Sequence, residues 1–405
     1  MTLPLPGPVL EALSRITSRG HEAYAVGGCV RDLLRGIKPH DYDICASCAP
    51  EEIHACFAGE RMIDTGIRHG TVTVLLHGMP LEITAFRADG DYSDGRHPDS
   101  VRFTRSLAED LRRRDFTVNA MAYRPDKGVT DLFGGRQDLR NRVIRCVGDA
   151  EARFTEDALR ILRALRFAAQ LDFTIEPSTA RAMRALRGRL QLVSRERVAE
   201  ELLRMLRYPA APGILNAFPD VFFAAMPDFP PEAFAPGISA LRGLPGGDPA
   251  LALAALLHAC EDDALRRCLT SLRPSKALEA QAVQLAGNCR EPLAQAEVPL
   301  LLARLGEAQT GRLITLQRAC GLLTEEEAEQ RALRVRDALD KGLPLTLRQL
   351  PVTGSDLIAL GFSGPAVGRA LEALHRLALT EGLPCEREAL LRRAESMRPA
   401  EPPLS

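Results

Sequence analysis

The stretch Ala25-Val-Gly-Gly-Cys-Val-Arg-Asp-Leu-Leu-Arg-Gly36, followed at once by Asp41-Tyr-Asp43-Ile44, decides how this chain of 405 residues is read. Residues 23–26 predict a strand, two glycines end it, and residues 30–35 predict a helix directly after them. Gly27 and Gly28 allow a sharp turn and close approach to a ligand, and the unpaired N–H groups of a helix start attract anions. Asp41 and Asp43 are two apart, so on a strand they share one face beside that turn. Paired carboxylates next to a phosphate cradle are the donor set of two-metal phosphoryl transfer. Either element alone is more often a plain turn or a solvated loop; their order and closeness point to nucleotidyl transfer.

Composition sets bounds around this core. The length predicts more than one domain, and 46% hydrophobic with 26% charged residues is the balance of a globular protein in water. No basic segment followed by an apolar core opens the sequence, and the longest apolar run, 250–257, is too short to span a bilayer, so a cytoplasmic protein without membrane partners is expected. Ten scattered cysteines, including the single pair Cys45 and Cys48 at C-x-x-C spacing, predict reduced, packed thiols. The formal net charge of −1 does not suit a general polyanion binder, yet eight arginines between positions 181 and 207 face only Glu196, Glu200 and Glu201. A local basic face of that kind suits one folded RNA.

The expected fold is α+β: a small mixed-sheet head followed by an extended all-α neck, body and tail. After the first helix we expect a strand over 42–46, a helix over 49–57, a hairpin pairing 71–76 with 81–86, and a last strand within 142–147. From about residue 149 onward, alanine, leucine and arginine recur with helical spacing. Pro/Gly-rich breaks at 209–213, 227–247 and 342–344 suggest a head at 1–148, a neck at 149–210, a body at 211–345 and a tail at 346–405. Residues 88–100 are turn formers that pack poorly, and predict a mobile loop.

The ordered set Gly27-Gly28-x-x-Arg31-Asp32-x-x-x-Gly36…Asp41-x-Asp43 resembles the tRNA nucleotidyltransferase and bacterial poly(A) polymerase family, in the branch shared by bacteria and eukaryotes. Arg113-Arg114-Asp115-Phe-Thr-Val-Asn119-Ala is similar to that family's second motif, and Asp131-x-x-Gly134-Gly135-x-x-Asp138 to the motif joining head to neck. The resemblance implies a head that uses Mg²⁺ at Asp41 and Asp43, with Glu82 as a candidate third carboxylate. Glu82 reads equally well as a charge on the open face of an edge strand. Gly27, Gly28 and Arg31 would shape the phosphate turn. Arg113, Arg114, Asp115 and Asn119 would contact the nucleotide.

Glu156-Asp157-Ala-Leu-Arg160-Ile-Leu-Arg163 spaces three charged residues by threes, which on a continuous helix puts them near one face. A salt-bridged surface is the commoner meaning of such spacing. The other meaning is a protein template: a carboxylate accepts from an exocyclic amino group, and a guanidinium donates to a ring nitrogen. Cytosine and adenine share that polarity; uracil and guanine reverse it. The match to the family implies that Asp157 and Arg160 read the incoming base and that Arg163 braces them or a phosphate. Segment 194–204 matches a fifth, looser motif, and 352–372 is similar to the tail of the family, its glycines placed where helix N-termini could meet RNA phosphates.

His258 is followed by alanine and cysteine, so the His-Asp phosphohydrolase pair of some relatives is not expected. The resemblance implies addition of C, C and A to tRNA 3′ ends from CTP and ATP. A poly(A) polymerase, an A-adding half of a split pair, and an inactive tRNA-binding protein remain as alternatives.

Overall fold

The structure is a computed structural model that describes residues 2–64, 66–67, 70–89, 101–290 and 294–398. It divides into two compact units, residues 1–228 with 270–274, and residues 229–269 with 275–405. Residues 90–100, most of the loop expected to be mobile, lie outside the described residues.

The first unit opens with helix α1 (Gly7–Thr17) and strand β1 (Ala23–Val26), then α2 (Gly28–Leu34), β2 (Asp43–Ala46) and α3 (Pro50–Cys56). Strands β3 (Arg61–Ile63), β4 (Thr71–Leu76) and β5 (Met79–Ala85) follow, then a small hairpin of β6 (Arg87–Asp89) and β7 (Val101–Phe103). Helix α4 (Leu107–Arg112) leads through a 3₁₀ turn at Thr117–Asn119 into β8 (Met121–Arg124) and β9 (Gly128–Asp131). The main sheet runs β3-β4-β5-β2-β1-β8-β9, and among the described residues β2–β5 is its one parallel pair.

Alternation along the strands explains the two faces of this sheet. Ala23 and Ala25 of β1, Ile44 and Ala46 of β2, and Leu81 and Ile83 of β5 join the large core with Val9, Leu13, Val30 and Ile53 of the three helices. Tyr24 and Val26, Cys45, Phe86 and Leu111 form a smaller core on the opposite face. By the same alternation Asp43 and Glu82 belong to that second face. The β4–β5 connection is tighter than expected: His77 (φ +50°) and Gly78 (φ +80°) make a two-residue turn, so β5 begins at Met79.

Beyond the sheet come α5 (Gly135–Asn141), the two-residue strand β10 (Val143–Ile144), α6 (Ala150–Glu156), α7 (Leu159–Leu171), β11 (Thr174–Ile175), α8 (Pro177–Leu186) and α9 (Arg195–Met205). Three expectations are corrected. The strand expected within 142–147 shortens to β10, which pairs in parallel with β11 instead of joining the main sheet, and β11 itself falls where only helix was expected. Asp41 precedes β2 instead of lying on it. Asp157 breaks the helix, with φ −143° and ψ 105°.

The second unit is helical, with buried cores built around Val298, Leu302 and Val335, and around Leu357, Phe362, Leu374 and Leu390. Gly354 opens the helix Gly354–Ala359 as expected, but Thr353 and Asp356 cap its N-terminus reciprocally, so a carboxylate of the chain already sits there. Among the described residues no helix is long and apolar enough to cross a membrane.

Candidate active site

The phosphate turn rests on Gly27, whose φ of +78° strains any L side chain. A Cβ there would lie 3.2 Å from Arg114 Nη1 and 3.9 Å from Asp43 Oδ2, so this backbone passes directly between a guanidinium and a carboxylate. Gly27→Ala is expected to cost about 1–3 kcal/mol from a backbone conformation, φ +78° with ψ −131°, open almost only to glycine, and to push Arg114 out of place. A lowered urea midpoint together with a loss of nucleotide incorporation larger than the unfolded fraction explains would be the observed result.

Asp43 stands opposite Glu82 in the parallel β2–β5 register, so the two carboxylates are neighbours on one face. Burial, then the charges of Asp41 and Glu82, push the Asp43 carboxyl up to about 6, and Arg114 opposes them. Asp41 and Glu82 are exposed. Among the described residues no three His, Cys, Asp or Glu side chains close around a point on their own. The set is thus an open one of hard oxygen donors, crowded with negative charge. That fits Mg²⁺, which takes one or two carboxylates and completes its octahedron from substrate phosphates and water.

Arg113 and Arg114 are both held by Asp110, a carboxylate with no exposed surface. Arg113 donates to Asp110 Oδ1 through Nη2 at 2.7 Å, and Arg114 donates to Oδ2 at 3.2 Å. Both arginines keep Asp110 well below the usual carboxylate range against its burial. The buried Arg114 Nε finds no acceptor among the described residues.

Three residues expected at the nucleotide have protein partners of their own. Arg31 is buried and donates to both Asp32 oxygens at 2.8 and 2.9 Å and to Asn119 Oδ1 at 2.8 Å. Asp115 Oδ1 accepts from the Phe116 N–H at 2.8 Å and from Asn119 Nδ2 at 3.4 Å. Its Oδ2 accepts two bonds from Arg163, at 2.9 and 2.6 Å. Arg31, Asp115 and Asn119 therefore form one linked frame. Phe167 of α7 closes it: the guanidiniums of Arg31, Arg163 and Arg166 lie 5.6, 5.4 and 3.9 Å from its ring centre.

Gly135 of the motif joining head to neck is a packing residue, while Gly134 turns the chain with φ +77° and open space around it. A Cβ on Gly135 would come 2.2 Å from the Thr117 carbonyl oxygen, and Asp138 accepts from Thr117 Oγ1 at 2.7 Å. This motif pins the turn that carries Asn119.

A cleft of about 260 Å³ brings Arg113, Arg114, Asp115, Asp157, Leu159, Arg160, Arg163 and Arg197 together. That is just below the ~300–1,000 Å³ of pockets for whole ligands, as suits a single base. Asp157 Oδ1 accepts from the Leu159 N–H at 3.0 Å and so starts α7, while Oδ2 accepts from Arg197 at 2.9 Å. Arg160 donates to Glu156 at 2.6 Å and to the Arg113 carbonyl at 3.1 Å. Sequence reading missed Asp110, and it gave Arg197 a place in the looser motif at 194–204 but none in the site. An aspartate three residues before a double arginine was the available signal for Asp110. Cys45 and Cys48 are buried free thiols, as expected.

The chain matches the family described as "Poly A polymerase head domain" over residues 23–145, and "Probable RNA and SrmB- binding site of polymerase A" over residues 172–217. It is 38% identical to a CCA-adding enzyme of Levilactobacillus brevis over 390 residues, 95% of each chain. It is 53% identical to a CCA-adding enzyme of Leuconostoc citreum over 199 residues, about half of each. Its fold matches the Bacillus stearothermophilus CCA-adding enzyme solved in complex with CTP, with a TM-score of 0.80 and 29% identity over 97% of this chain and 98% of that one. A Thermotoga maritima CCA-adding enzyme solved with tRNA shares the fold at a TM-score of 0.68 and 23% identity, over 96% of this chain and 94% of that one.

Proposed function

Since the chain belongs to the family of CCA-adding enzymes, we propose that it adds C, C and A to the 3′ end of tRNA from CTP and ATP, with release of pyrophosphate. The observation that carries this reading is the continuity of one face. Asp43 with Glu82, then Arg114 beside Gly27, then the cleft between Asp157 and Arg160 follow one another, linked by Arg114, which belongs to both groups.

Asp41 and Asp43 would hold Mg²⁺, with Glu82 beside them. Bound there, the ions would activate the RNA 3′-hydroxyl and neutralise the leaving pyrophosphate. The chain's own residues supply the remainder. Arg113 and Arg114, fixed by Asp110, present guanidinium donors to the triphosphate. Asp157 accepts from the exocyclic amino group of cytosine or adenine, and Arg160 donates to the ring acceptor beside it. Glu156 orients Arg160. Arg31, Asp115, Asn119 and Arg163 keep the two groups in register. Selection of C and A over U and G follows, because a reversed donor–acceptor edge would leave charged groups unpaired. The exposed arginines of α8 and the helical second unit would carry the tRNA, with the cytoplasm as the place of action.

The test uses a tRNA transcript lacking its CCA end, with Mg²⁺ and CTP, ATP or both, resolved to single nucleotides. Two additions with CTP alone, one more with ATP, and then a halt are expected. Unlimited ATP tailing would make the protein a poly(A) polymerase; a single A on a CC end without use of CTP would make it half of a split pair.

A further inference from the structure

The one C-x-x-C spacing of the sequence makes no thiol pair in the fold, since Cys45 and Cys48 join cores on opposite faces of the main sheet. The thiols that do meet are 31 residues apart in the chain and belong to the second unit. Cys289 ends the helix Lys276–Cys289, and Cys320 caps the C-terminus of the helix Glu307–Ala319. Their sulfurs lie 3.7 Å apart.

Hydrogen bonds along the two helices hold these ends together. Gln309 Nε2 donates to Gln284 Oε1 at 3.0 Å, and the buried Gln317 donates through Nε2 to the Asn288 carbonyl at 3.4 Å, directly before Cys289. Cys289 is buried and Cys320 is half-buried, so Cys320 is the side from which solvent reaches the pair. The Cys320 thiol, hydrogen-bonded to Cys289, and then the Arg290 guanidinium draw Cys289 below the usual thiol range against its burial. The same hydrogen bond pushes Cys320 up. A second hydrogen-bonded pair in this unit, Cys260 with Cys268, is buried at both residues.

We propose that Cys289 and Cys320 form an oxidation site for a hydroperoxide, closing to a disulfide that staples the two helices. Cys320 passes its proton to the Cys289 thiolate and attacks hydrogen peroxide. An S–O bond forms, the O–O bond breaks, and hydroxide leaves. Cys289 then attacks the sulfenic sulfur of Cys320: the S–S bond forms, the S–O bond breaks, and the departing hydroxide takes the Cys289 proton as water. Two thiol sulfurs are oxidised to one disulfide and one peroxide is reduced. The sulfurs must close from 3.7 Å to the ~2.05 Å of a bond, a movement within reach of rotation about the Cα–Cβ bonds. The bond closes a loop over residues 290–319 and so opposes local opening of the helices Val298–Leu305 and Glu307–Ala319. Dithiols reopen it.

The experiment exposes the full chain, freshly reduced, to hydrogen peroxide, then unfolds it in N-ethylmaleimide and maps its peptides by mass spectrometry, beside Cys289→Ser and Cys320→Ser. The expected product is a Cys289–Cys320 cross-linked peptide that dithiothreitol returns to two thiols, while Cys45, Cys48, Cys260 and Cys268 stay alkylated. In Cys289→Ser, Cys320 should proceed to sulfinic acid, for want of a second thiol. In Cys320→Ser, the buried Cys289 should survive peroxide about tenfold longer or more. Amide hydrogen exchange in the two helices should slow by about tenfold or more in the oxidised protein. Sulfinic acid at Cys320 beside an alkylated Cys289 in the unsubstituted chain overturns the proposal, as does closure of Cys260 with Cys268 at an equal rate. Unchanged exchange in a cross-linked protein overturns the stapling.

Discussion

Asp43→Asn is expected to lower nucleotide incorporation by roughly 10³-fold or more, while retention of tRNA on a filter stays within about twofold. The magnitude follows from what a carboxylate-held metal contributes: several kcal/mol of transition-state charge stabilisation, at 1.36 kcal/mol for each tenfold. RNA affinity comes mainly from phosphate contacts spread over other parts of the chain, so it should survive. A second readout separates chemistry from folding. Asp43 keeps its proton up to about pH 6, above its ordinary 3.8, because of burial and the nearby Asp41 and Glu82. Between those two values the folded state binds more protons than the unfolded one, so this group makes the protein less stable as pH rises through the window. Above pH 6 the full penalty, about 1–3 kcal/mol, is present. Asparagine removes it. In EDTA at pH 7 the variant should therefore melt at or above the wild-type temperature, and Mg²⁺ should raise the wild-type Tm more than the variant's. A variant that melts markedly lower would make Asp43 a structural residue.

Arg160→Ala is expected to reduce discrimination for CTP and ATP over UTP and GTP by about 10- to 100-fold, the range for one lost charged donor. Binding of tRNA should fall far less. Arg160 is 9% exposed and bonds both Glu156 and the Arg113 carbonyl, so some loss of stability will accompany the change. The ratio between nucleotides is insensitive to the folded fraction, and for that reason it is the quantity to measure. If the preference is retained while total rate drops, Arg160 supports the cleft without reading the base.

Local chemistry makes much of the head legible from residue order alone. Gly27-Gly28 between an apolar run and a helical one announces β1 and α2, and 71–76 alternates cleanly. Short strands escape. Met121–Arg124 and Gly128–Asp131 flank Pro-Asp-Lys and read as one turn, and Arg61–Ile63 has only three residues; pairing with neighbours, not local preference, makes these strands. The break at Asp157 is hidden for a similar reason. Glu, Asp, Ala and Leu in succession all permit a helix, and it is Arg197, distant in sequence, together with the Leu159 N–H, that holds Asp157 extended. For the site, residue order names groups that the fold brings together around one cleft, but it does not show how they bond to one another. Arg31, Asp115 and Asn119, expected at the nucleotide, also bond one another and their neighbours, because buried polar groups must be satisfied.

The parallel pairing of β2 with β5 has a consequence for how the head folds. The two strands are separated in the chain by α3, β3 and β4, so their pairing is a non-local, late and slow event. It is also the event that brings Asp43 against Glu82. Like charges facing each other across a strand pair oppose that step, and the transition state for closing the sheet must carry part of the repulsion. Refolding of the head should accordingly be faster in millimolar Mg²⁺ than in NaCl of equal ionic strength, with unfolding slowed as well. An ion held between these carboxylates would then also speed the closing of the sheet that binds it.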